Sequence, residues 1–103
     1  MKTYNKLVRD KIPEIIKSSG KSFDIHYAKK EEILPLLETK LNEEVSEYLD
    51  AKNLEELADV MEVLFELANA LGYSEYDLIS KRNEKKEERG GFEKGIVLEK
   101  VYE

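Results

Sequence analysis

From Lys30 to Leu71 the sequence carries two helical hydrophobic periods in succession, separated only by a turn near Ala51–Asn53. A connection that short forces the two helices to run antiparallel as a hairpin. At about 100° per residue, Leu34, Leu37, Leu41, Val45 and Tyr48 fall on one stripe of the first helix, expected over Lys30–Asp50 with Pro35 near its start. The second, Leu54–Leu71, is apolar on two sides. One stripe runs through Leu54, Leu57, Met61, Phe65 and Ala68, and the other through Val60, Val63 and Leu67. Its only clearly polar strip is Glu55, Glu62, Glu66 and Asn69. Two apolar sides mark a central bundle helix or one at a subunit interface.

The remaining punctuation divides the chain into short units, with no repeat and no long linker. Asp10–Ser19 reads as a short helix with Asp10 as N-cap, Pro13 in the first turn and Gly20 past its end. Asn53 caps the second long helix and Gly72 stops it; Ser74 with Asp77 opens another that runs to about Arg89, where Gly90–Gly91 breaks it. Phe23, Ile25 and Tyr27 alternate with Asp24 and His26, so Ser22–Ala28 is expected as a strand. Gly95–Tyr102, with Ile96, Val97, Leu98 and Val101, is expected to pair with it. With 103 residues the chain makes one domain, spanning 1–103, with a modest core that a shared subunit interface would help stabilise. The expected fold is mainly α: a four-helix bundle with a short two-stranded β accessory.

The hairpin carries its chemistry in two acidic pairs, Glu44 with Glu47 and Glu56 with Asp59. Residues three apart share a helix face, so antiparallel packing aims four carboxylates toward one point beside the apolar stripes. Buried carboxylates that lack partners are costly, and a cation relieves them. An all-carboxylate set suits a hard ion, Mg²⁺ or Mn²⁺. A di-iron site would use Glu-x-x-His pairs, and the only histidine, His26, lies elsewhere. Carboxylate-held Mg²⁺ keeps open positions for phosphate oxygens, so the implied ligand is a nucleotide or another phosphate ester. A local reading stands beside this one. Asn53-x-x-Glu56 also fits a capping box, and acids in a first helical turn complement the macrodipole.

The last helix offers opposite charge. Lys81, Lys85 and Arg89, with Arg82 alongside, form a ridge suited to phosphate oxygens, although Glu84, Glu87 and Glu88 interleave. Near the start, Lys6, Arg9 and Lys11 either approach a phosphate or tie the N-terminus to the bundle. A net charge of −6 argues against a general nucleic-acid surface. Without cysteine there is no disulfide framework or thiolate metal site. No apolar run approaches membrane-spanning length, and the opening residues lack a signal-peptide core, so a cytoplasmic location is expected.

These blocks together resemble the MazG-like all-α NTP pyrophosphatase superfamily, which includes phosphoribosyl-ATP pyrophosphohydrolases. The E-E-x-x-E signature of that family is matched by Glu43-Glu44-Val45-Ser46-Glu47, and E-x-x-D by Glu56-Leu57-Ala58-Asp59. The opening Tyr4-Asn5-Lys6-Leu7-Val8-Arg9-Asp10-Lys11-Ile12-Pro13 and the ending Arg89-Gly90-Gly91-Phe92 look like a small subgroup of house-cleaning pyrophosphatases. The likeness spans nearly the whole chain. Only eight residues separate Glu47 from Glu56, fewer than in longer members, which implies a tight loop and a compact site.

The resemblance implies Mg²⁺-dependent hydrolysis of a nucleoside triphosphate to the monophosphate and pyrophosphate, as house-cleaning of noncanonical nucleotides. It makes Glu44, Glu47, Glu56 and Asp59 metal ligands. Glu47 becomes a candidate general base, and Glu43 a candidate for orienting water. It also implies a homodimer or homotetramer. The competing expectation is a non-catalytic helical interaction module whose carboxylates cap helices and solubilise the surface.

Overall fold

The computed structural model describes residues 2–103. Four helices follow in order: α1 Ile12–Ser18, α2 Lys30–Ala51, α3 Leu54–Ala70 and α4 Glu75–Arg89. The main packing unit is the α2–α3 hairpin, with α4 laid more sparsely against α3. The turn is even tighter than the sequence suggested. Lys52 alone takes a left-handed conformation at φ 51°, and its Nζ donates to the Leu49 carbonyl at 2.6 Å, satisfying one of the open acceptors at the α2 end.

Local chemistry explains the other boundaries. Asn53 adopts an extended backbone and its side chain accepts the Glu56 N–H at 2.9 Å, starting α3. Ser74 and Asp77 form a reciprocal capping box at the start of α4, each side chain accepting the other's backbone N–H. Gly72 follows α3 at φ 93°, a conformation that costs a side-chain-bearing residue energy. Asp10, by contrast, is not the cap of α1. The N-cap is Lys11, without a side-chain cap bond, and Pro13 occupies the first turn as expected.

The expected β accessory is a correction. Ser22–Ala28 and Gly95–Tyr102 form no strand, and no helix or sheet backbone ladder joins them among the described residues. Alternation made these segments amphipathic, but a two-stranded pair standing alone is marginal in water. Glu99 and Lys100 also interrupt the apolar run of the tail.

A single copy buries little. Leu37 on α2 and Val63 and Ala68 on α3 are the only buried hydrophobic residues among those described, and none of them is fully shielded. The Cα radius of gyration is 18.2 Å, against about 13 Å for a compact chain of this length. No helix among the described residues is long and apolar enough to cross a membrane.

Candidate metal centre

The hairpin register brings the acidic pairs together. Glu44, in the turn-proximal half of α2, is 6% exposed, and one oxygen each of Glu44, Glu56 and Asp59 lie within 4.8 Å of one another. Glu44 also belongs to a second group with Glu43 and Glu47 under the same spacing. Glu44 is therefore the hub, shared by both helices' contributions. Val60, Val63 and Leu67 continue the α3 line of Glu56, so the stripe that packs the hairpin also carries the acids inward.

Two oxygens at the centre are unsatisfied. Glu44 Oε2 and Glu56 Oε2 are buried and have no hydrogen-bond partner. The capping-box reading of Glu56 is met only in part. Its backbone N–H is bonded to Asn53, but the reciprocal half of the box does not form, which leaves its carboxylate outside the cap. At the distances of this cluster, two like charges repel by roughly 3 kcal/mol at an effective dielectric near 20.

Three cations partly compensate the cluster. Lys40, one turn before the acids on α2, lies 3.2 Å from Glu44 Oε1 and 3.5 Å from Glu43 Oε2. Lys6 donates to Glu43 Oε1 at 2.8 Å, and Arg9 to Asp59 Oδ1 at 2.7 Å. The N-terminal segment is thus tied to both helices of the hairpin. Five carboxylates (Glu43, Glu44, Glu47, Glu56, Asp59) against three cations (Lys6, Arg9, Lys40) leave a local charge of two negatives. A surplus of two negatives is of the size that one divalent cation would balance.

The titration behaviour follows this layout. The hydrogen bond from Lys6 holds the Glu43 carboxyl below the ordinary value of 4.5, with Lys40 adding to the effect. Glu43 in turn raises the Lys6 ammonium. Glu47 moves the other way. The neighbouring Glu44 charge is the main cause that lifts its carboxyl, with Glu56 and Glu43 contributing. Glu43 is thus neutralised by lysines, whereas Glu47 sits in an uncompensated negative field.

Of the residues expected at the site, Glu44, Glu56 and Asp59 form one group and Glu43, Glu44 and Glu47 another, the two sharing only Glu44 in place of a single point for all. Lys81, Arg82, Lys85 and Arg89 on α4 form no ion pair with these acids. Lys81 pairs with Glu84 of its own helix at 3.1 Å, and the other three make no ion pair among the described residues. Lys40 was not anticipated as a site residue, although its i,i+3 and i,i+4 spacing to Glu43 and Glu44 was the available signal.

Enclosure is incomplete. A depression of about 310 Å³ opens beside Glu47, walled by Ser46, Glu47, Leu49 and Asp50, all from α2. A cleft between the N-terminal segment and α2, near Lys6, Lys40 and Glu43, offers only about 30 Å³. No family model, curated protein or solved structure matches the chain.

Proposed function

We propose that this chain is a MazG-like, Mg²⁺-dependent nucleoside triphosphate pyrophosphohydrolase that releases a nucleoside monophosphate and pyrophosphate. The observation that carries the reading is the pair of buried, unpartnered oxygens on Glu44 and Glu56 inside a cluster with a surplus of two negative charges. The donor set is all carboxylate, which fits Mg²⁺ or Mn²⁺ and not a soft metal. Glu44, Glu56 and Asp59 would hold the ion, with Glu47 reached through Glu44. Such an ion supplies charge neutralisation for a polyphosphate and a lowered pKa for a hydrolytic water.

The chain's own residues divide the remaining work. Glu47 is exposed at the edge of the cluster, within reach of solvent, which suits a group that accepts a proton from an attacking water. Glu43, pinned by Lys6 and Lys40, orients its neighbours and holds the N-terminal segment in place. Arg9 and Lys6 lie beside the acids and supply the positive charge nearest to an incoming phosphate. The α4 ridge of Lys81, Arg82, Lys85 and Arg89 would serve phosphates only from a copy that brings it to this site. The depression beside Glu47 has walls on one side alone, so a homodimer or homotetramer would complete the pocket. Noncanonical nucleotides are the proposed substrates and the cytoplasm the proposed location.

Pyrophosphate release from a panel of canonical and damaged nucleoside triphosphates, with and without Mg²⁺, tests the reading. Metal-dependent release is expected, and its loss in Glu47→Gln with an unchanged circular-dichroism spectrum. No release from any member of the panel would favour the helical interaction module.

A further inference from the structure

Two of the three acids that meet across the hairpin already have one oxygen engaged. Lys40 Nζ lies 3.2 Å from Glu44 Oε1, while the buried Oε2 has no partner. Arg9 donates to Asp59 Oδ1 at 2.7 Å, and no other cation pairs with that carboxylate among the described residues. Glu56 differs, with neither oxygen in an ion pair among the described residues. The two engaged acids belong to different helices, Glu44 to α2 and Asp59 to α3.

Lys40 is the firmer of the two restraints. Its side chain is mostly buried and lies between Glu43 and Glu44, one turn before them on α2. Turning both Glu44 oxygens toward a shared centre would strip this ammonium of a partner in a largely dry setting, which is costly. Arg9 holds Asp59 from the opposite side and more loosely, because its guanidinium is about half exposed. The three acids therefore cannot all chelate through both oxygens while these contacts stand.

Coordination chemistry turns that limit into a choice of ion. Ca²⁺ gathers a large, flexible shell and often takes a carboxylate through both oxygens, whereas Mg²⁺ takes a small octahedral shell and keeps several waters. We propose that Lys40 and Arg9 are positioning residues that hold Glu44 and Asp59 to one-oxygen ligation and thereby set the centre against Ca²⁺. This rests on the metal-site reading above and assigns its ion selectivity to two residues that touch the ligands and not the ion.

Calorimetric titration of the intact chain with Mg²⁺ and, separately, with Ca²⁺ tests the proposal without nucleotide or turnover. Wild type should bind Mg²⁺ the more tightly. Deleting a nearby cation deepens the negative field and tightens both ions, so the ratio of the two affinities is the readout. Lys40→Met, which keeps the aliphatic stem, and Arg9→Ala should each move that ratio toward Ca²⁺ by about tenfold, the scale on which ligand-orienting partners act. Lys6 pairs with Glu43, outside the Glu44, Glu56 and Asp59 group, so Lys6→Met should tighten both ions alike and leave the ratio unchanged. Arg9→Ala removes only a half-exposed pair, so it keeps the test open even where Lys40→Met fails to fold. An unchanged ratio in the folded variants, or an equal shift in Lys6→Met, would overturn the inference and leave the metal centre standing. So would a wild type that takes Ca²⁺ as tightly as Mg²⁺. Binding of neither ion by wild type would remove the centre itself, and the inference with it.

Discussion

Glu44 on α2 and Glu56 on α3 meet across the hairpin with their carboxylates in one cluster, and each keeps one buried oxygen unpartnered. Folding therefore concentrates negative charge that the polypeptide itself neutralises only in part. The sign of the stability response to charge removal follows from that.

In metal-free protein, Glu56→Gln should raise the thermal midpoint, because it removes a like-charge contact without touching the Asn53 cap. The same change should abolish any further rise on adding Mg²⁺ or Mn²⁺. Wild type should gain about 2.7 kcal/mol when the metal stands at a hundredfold its Kd. Differential scanning calorimetry with and without metal reads both effects. A metal-free loss of stability would mean that the Glu56 carboxylate has a local structural role.

The cap itself is a separate quantity. Asn53→Ala leaves the Glu56 N–H without its side-chain acceptor and should cost about 1 kcal/mol in urea unfolding. Metal binding should survive it, since the cap uses the Glu56 backbone and the cluster uses its side chain.

Glu43 and Glu47 should respond to pH with opposite signs. Glu43 is lowered by Lys6, so its contribution is present above 4.5 and is lost as pH falls through its folded value. Glu47 is raised by Glu44, so in metal-free protein its stabilising contribution is complete below 4.5 and disappears as pH climbs through its folded value. Carboxylate NMR titration resolves the two. Lys6→Met should return Glu43 toward 4.5, and Glu44→Gln should lower Glu47.

Arg9 bridges fifty positions of sequence to reach Asp59, but the guanidinium is about half exposed. Arg9→Ala should therefore cost less than about 1 kcal/mol, and less again in high salt. Comparing urea midpoints at low and high NaCl checks the ion-pair origin of the effect.

The helical part of this architecture was legible because its signals are local. Asn53 and Ser74 are strong caps, and the spacing of three between Glu44 and Glu47 or Glu56 and Asp59 fixes a face. The tight Lys52–Asn53 turn then brings those faces together. The β accessory failed because Phe23, Ile25 and Tyr27 encode a face but no partner. Lys40 is not legible in the sequence because its significance depends on Glu44 being buried, which only packing establishes. Only charge marks the α4 cations in the sequence, and charge does not say which surface a helix presents to a neighbour. Periodicity places Leu54 and Leu57 on a buried stripe, whereas within one chain they are open.

Calorimetric titration of Mn²⁺ into the metal-free protein bears most directly on the central claim. Saturable binding is expected in wild type, lost in Glu44→Gln and in Glu56→Gln, and tightened when a nucleoside triphosphate is present. Binding that is absent in wild type, or that persists unchanged in both variants, would contradict a cation held between the acids of α2 and α3.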